Sequence, residues 1–125
     1  MYQKSKQPRK QRKAQYNASN VRRSKMVGAH LSADLIEEYG TRSVRVIKGD
    51  TVKVMRGDAE IVGVEGKVTD VDTHRGLVVI EGITIPKADG TQKARPLHAS
   101  NLMVTKLELK DPRRKAKLEK KEVSQ

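Results

Sequence analysis

Lys4, Lys6, Arg9, Lys10, Arg12 and Lys13 fall within ten residues, interleaved with Gln and Pro8. Arg22, Arg23 and Lys25 follow, and no acid occurs before Asp34. The chemistry open to such a run is neutralisation of a polyanion, because each Lys or Arg that meets a phosphate releases condensed counterions. Arg adds a bidentate geometry toward phosphate that Lys lacks. Arg9, Arg12, Arg22, Arg23 and Arg95 therefore weigh more than the lysines. A second basic run, Arg113, Arg114 and Lys115, lies near the other end, with Arg42, Lys87, Lys93, Arg95 and His98 between. Tyr2 and Tyr16 can stack on bases, and packing on their own chain is an equal alternative.

No comparable constellation points to catalysis. His30, His74 and His98 are far apart, and none sits in an H-E-x-x-H or similar context. No nucleophile–base pair stands out. Gly49-Asp-Thr-Val-Lys-Val-Met-Arg-Gly57 lacks the Gly-Lys-Ser/Thr ending of a phosphate-binding loop. With no Cys there is neither a disulfide framework nor a thiolate metal site. The expectation is a protein that is not an enzyme and uses no metal, cofactor or small-molecule substrate. A lone His is more often a surface or RNA-facing residue, and His98 is the best candidate for the latter.

The positive charge sits at the ends. The formal net charge is +12 over 125 residues. Residues 1–42 carry net +7, residues 43–105 net +1, and residues 106–125 net +4. A nearly neutral globule with basic extensions suits docking onto a polyanion through its arms. Nucleic acid is the favoured polyanion and an acidic membrane surface the competitor. Membrane binding usually needs a basic helix with one strongly apolar face, and neither extension offers one. No apolar run approaches the ~20 residues of a bilayer span, and the leading residues lack the apolar core of a signal peptide. The expected location is cytoplasmic. The amino-terminal arm is too polar to offset its own ordering entropy. It is expected to order on RNA or DNA, with a disordered tail or a linear targeting signal as alternatives.

The elements that must position these cations centre on Val46 to Glu81. Thr51–Arg56 alternates, with Val52 and Val54 on one face, as a half-buried strand does. Gly66–Asp72 resumes with Val68 and Val71, whose spacing of three suggests a bulge. Asp72 to Gly76 is a turn, and Gly76 can supply a positive φ. Leu77–Glu81 is a third strand. Ile83–Arg95 is expected to project as a hairpin around Ala88-Asp89-Gly90. Val44 and Val46 suit a short leading strand, and Leu102–Leu109 a last one. Ahead of these, Ser32 is a candidate N-cap for a helix over 32–39, with Leu31 and Ile36 placed as a hydrophobic staple and Gly40 as its stop. Asp111-Pro112 is a helix start, and the tail that follows is too polar to pack, so a solvated or RNA-bound helix is expected. The fold class is mainly β: a small barrel over 43–105 carrying the hairpin 83–95, a basic arm with a short helix over 1–42, and a basic, partly helical tail over 106–125.

Gly49-Asp50-x-Val52-x-Val54-x-Arg56-Gly57, then Gly63-x-x-Gly66-Lys67-Val68 and Val71-Asp72, resemble the KOW motif, whose glycines here are Gly49, Gly57, Gly63, Gly66 and Gly76. That motif implies an SH3-like barrel and occurs in ribosomal proteins and transcription elongation factors. Arg22-Arg23-Ser-Lys25-Met26, Leu31-Ser32, Tyr39-Gly40-x-Arg42-Ser43, Lys87-Ala88-Asp89-Gly90-Thr91, His98-x-Ser100-Asn101-Leu102 and Leu107-x-Leu109 narrow the resemblance. Together they resemble the archaeal and eukaryotic branch of large-subunit ribosomal protein twenty-four, called twenty-six in eukaryotes. The resemblance implies a structural ribosomal protein that binds large-subunit rRNA near its 5′ region, supports early subunit assembly and lies near the peptide exit tunnel. It implies neighbouring ribosomal proteins as partners, with no self-association expected. The other readings are a KOW-type elongation module, for which the 42 preceding residues are too short and basic to be a partner domain, and an RNA chaperone.

One stretch departs from the family pattern. Asp58 to Glu65 carries three acids and no base where many relatives have a Lys-Gly pair. Direct phosphate contact by this loop is not expected. Ile61 and Val62 are expected to pack under the barrel, with exposure to a protein neighbour as the alternative.

Overall fold

The computed structural model describes residues 5–123, with side chains to residue 119. Lys4 and Tyr2, both candidates for RNA contact, lie outside the described residues. In chain order the elements are α1 (Pro8–Tyr16), α2 (Asn20–Met26), β1 (Gly28–Leu31), α3 (Ala33–Tyr39), β2 (Ser43–Arg45), β3 (Thr51–Val54), β4 (Glu65–Asp72), β5 (Leu77–Pro86), β6 (Gln92–His98), a 3-10 turn (Ala99–Asn101), β7 (Leu102–Lys106) and α4 (Pro112–Val123).

The strands form one seven-stranded sheet in the order β2-β1-β7-β3-β4-β5-β6. Its pairs are antiparallel except β1–β7, which is parallel. The expectation of a mainly β chain is corrected to a mixed one, since four α-helices accompany the sheet. No ladder joins the outer strands β2 and β6 among the described residues, so the hydrogen bonding does not close into a barrel. The sheet bends instead. The first residues of β4 pair with β3, through Val52↔Gly66, and its later residues pair with β5, through Val68↔Ile80. Gly66 stands at this corner. A Cβ there would lie 2.9 Å from both the Glu81 carbonyl oxygen and Ile80 Cγ2. Close backbone approach is thus what excludes a side chain. The other four motif glycines have positive φ.

The expected bulge in β4 is present, with the register slipping between Val68 and Asp70 so that Val68 and Val71 pair across to Ile80 and Val78. The bend brings Val52, Val54, Leu102 and Val104 from one limb against Val68, Val78, Ile80, Ile83 and Leu97 from the other, in a single core. The expected separate strand at Ile83–Pro86 is the continuation of β5, so the hairpin arm runs from Leu77 to His98. The pairing breaks between Val79 and Thr84, around Gly82, which has φ 86°.

Two expectations fail at the chain ends. The arm expected to lack structure of its own is helical over α1 and α2. Pro8 opens α1 at its first turn, and the residues that follow are mostly good helix formers. The arm also holds the unforeseen β1, whose Ala29 and Leu31 are buried between β2 and β7. At the other end α4 begins at Pro112 as expected but is not a free solvated helix, because Leu118 is buried and α4 packs against α3. Helix α3 starts after Ser32 and ends at Gly40 in the left-handed region, yet the Ser32 side chain makes no capping bond.

Candidate nucleic-acid interface

The amino-terminal cations are displayed by two short helices. No residue of α1 is buried, so Arg9, Lys10, Arg12 and Lys13 are all exposed on it, with Lys6 exposed just ahead. A groove of about 490 Å³ runs between α1 and α2, lined by Lys10, Lys13 and Arg22 with the small residues Ala14, Ala18 and Ser19. Tyr16 is 65% exposed at the end of α1. Arg23 is turned inward, donating to the Tyr16 carbonyl and meeting the His74 ring in the β4–β5 turn. It braces the two helices against the sheet rather than extending into solvent.

A second cleft, of about 540 Å³, lies between α4, the edge strand β2 and the end of α2. Lys25 and Arg113, from opposite ends of the sequence, meet there. Arg45 and Lys117 join them, and neither is among the cations that the sequence singles out. A signal for Lys117 exists: it lies four residues after Arg113, on the same face of a helix. Arg45 has none, since a lone exposed cation on a three-residue strand is ordinary.

Arg114 has another role. Its Nη1 donates to Asp50 Oδ1 at 2.7 Å and its Nη2 to Asp50 Oδ2 at 2.8 Å. Asp50 is fully buried, and its carboxylate also accepts the amide N–H groups of Ile47 at 3.1 Å and Glu108 at 2.9 Å. The same guanidinium donates to the carbonyls of Glu108 and Arg45. The expectation that Arg114 is a phosphate ligand gives way to a structural role: it locks α4 to the motif aspartate.

Other candidates scatter. Arg42 is exposed before β2, and Lys115 is exposed on α4. Lys87 and Lys93 are exposed on the hairpin and line neither groove. Arg95 reaches Asp58 at 2.7 Å, so the acidic loop holds one of the cations that rank highest in the sequence. In that loop Ile61 is buried while Val62 is 45% exposed, which divides the pair expected to pack together. His98 Nδ1 accepts the Ser100 amide N–H and caps the 3-10 turn. Among the described residues no group of His and acids is arranged to hold a metal, and no helix is long and apolar enough to cross a membrane.

The model of the family that comprises ribosomal proteins L26 of eukaryotes and L24 of archaea matches residues 5–121. The chain belongs to that family. Among its uL24 relatives, the large ribosomal subunit protein uL24 of Methanocella arvoryzae is 56% identical over 117 residues, covering 94% of this chain and 93% of that one. That of Methanosarcina barkeri is 56% identical over 116 residues, 93% of this chain and 98% of the relative. That of Haloarcula marismortui is 51% identical over 120 residues, 96% and 98%. The family match, over residues 5–121, spans the residues of both grooves, β1 and most of α4.

Proposed function

We propose that this chain is a structural constituent of the large ribosomal subunit and binds large-subunit rRNA directly through the two cation-lined grooves. The observation that carries the reading is the convergence of Lys25 and Arg113, from the two basic ends, on one cleft of a family member of nearly full length. Phosphate contact supplies the affinity. The seven-stranded sheet serves as the rigid platform and is read as an open form of the SH3-like barrel that the KOW motif implies, since the corner at Gly66 folds both limbs around one core. RNA modules that read sequence by stacking present aromatic side chains on a sheet. No strand residue of this sheet is Phe, Tyr or Trp, and the rings of the two strand histidines, His30 and His98, are engaged by the Leu31 carbonyl and the Ser100 amide. Recognition by the sheet is therefore not by aromatic stacking, and RNA shape and backbone carry most of it. Binding near the 5′ region of the rRNA, a role in early assembly and a seat near the exit tunnel rest on the family resemblance.

The test is the salt dependence of binding to a large-subunit rRNA fragment. Engagement of ~6–10 phosphates lowers affinity ~10³–10⁵-fold between 50 and 200 mM salt. A flat dependence, or failure to co-sediment with the large subunit at moderate salt, rejects the reading.

A further inference from the structure

The cleft beside α4 differs in kind from the groove between α1 and α2. Its rim is cationic, but Val44, Ile47 and Leu118 also line it, the first two half-buried and the third 3% exposed. Its volume, about 540 Å³, falls within the usual range for sites that enclose a small ligand, roughly 300–1,000 Å³. A duplex backbone needs only a cationic surface; it has no use for an apolar recess. The recess also borders a free sheet edge. Among the described residues strand β2 pairs with β1 alone, and the Arg45 carbonyl accepts from Arg114, which shows that this side of the strand faces α4. In a strand the N–H of a residue points to the same side as its C=O, so the Arg45 amide faces the cleft too.

The pair between Arg114 and Asp50 sets the geometry. It fixes the start of α4 to the segment before β3, while the bond from Arg114 to the Arg45 carbonyl ties the same turn to β2, and the cleft lies beside these two anchors. Arg114 is not a ligand here, being engaged by Asp50. The one acid on the rim, Asp111, accepts the Arg113 amide in the first turn of α4. That leaves Lys25, Arg45, Arg113 and Lys117, all exposed, around an apolar floor.

We infer that this cleft seats a single unstacked nucleotide of the bound RNA, with its phosphate among Arg113, Lys117 and Lys25 and its base against Val44, Ile47 and Leu118. The inference rests on the RNA-binding reading above and adds a demand to it: the RNA must offer a bulged or looped-out residue at this point, the form in which bases are accessible to proteins. A purely helical partner would leave the recess unfilled. The base-edge donor on the protein side is the Arg45 amide.

The experiment uses the full-length protein, labelled at its Val, Ile and Leu methyl groups. It is titrated with each nucleoside monophosphate and, separately, with inorganic phosphate. The expected result is a saturable shift of the Val44, Ile47 and Leu118 methyls with nucleotide, and none with phosphate. The double variant R113E/K117E should abolish the nucleotide response with its methyl spectrum otherwise unchanged, and should lower the salt slope of rRNA binding by about two. Methyls that ignore nucleotide, that respond equally to inorganic phosphate, or that respond unchanged in the double variant overturn the proposal. If the unaltered protein binds no rRNA fragment at all, it is the RNA reading that fails, and the titration reports that separately.

Discussion

Asp50 and Arg114 are 64 positions apart in sequence and form the most buried ion pair of the described residues. A carboxylate taken fully out of water is costly unless its lone pairs are all used. Here four N–H donors surround it, two from the guanidinium and two from the backbone. Removing one partner leaves the other charge stranded. Asp50→Ala or Arg114→Ala should therefore lower stability by about 3–5 kcal/mol, read by urea denaturation. The double variant Asp50→Ala/Arg114→Ala should cost well below the sum of the singles, since neither charge remains. Additive losses would mean that the two residues act independently. Gly66 makes a contrasting case at the same scale, because its constraint is space. Gly66→Val must displace the Glu81 backbone and should cost roughly 1–3 kcal/mol or more; an unchanged melting temperature would show that the corner is looser than the 2.9 Å approach indicates.

At the scale of elements, the chain ends divide into parts that hold the fold and parts that hold charge. Helix α1 buries nothing. Truncation before Ser19 should leave the melting transition nearly in place while weakening rRNA binding and flattening its salt dependence, as measured by filter binding at several salt concentrations. Undiminished affinity would remove α1 from the interface. Helix α4 is different, since Leu118 is part of the buried set. Leu118→Ala should destabilise by about 2–5 kcal/mol. The hairpin tip offers a pH test. Hydrogen bonds from the Thr91 hydroxyl and amide hold the Asp89 carboxyl below its usual range. A depressed folded-state pKa contributes above the unfolded value and is lost as pH falls through the folded one. Amide exchange at Thr91 should therefore quicken under acid conditions relative to the sheet core, and a tip indifferent to acid would contradict the geometry.

For the molecule as a whole, charge and fold were legible to different degrees. The basic ends and the near-neutral centre stand in the sequence, because net charge needs no geometry. The strands β3 and β4, the first half of β5, the bulge after Val68 and the turn closed by Gly76 were legible as well. Their signals are local: a period of two, a slip in that period, a residue free to take positive φ. Strand β1 was not legible, since Gly28–Leu31 has too little alternation to betray a strand, and its pairing with β2 and β7 is what defines it. Burial of Leu118 was hidden likewise, because one Leu among many cations carries no amphipathic pattern. Sequence alone thus determined where positive charge is concentrated and which family pattern the turns obey. Only the tertiary structure decided which cations face outward, for a reason that is physical: whether an arginine meets solvent, Asp58 or a buried Asp50 depends on distances between segments remote along the chain, and no local spacing encodes them.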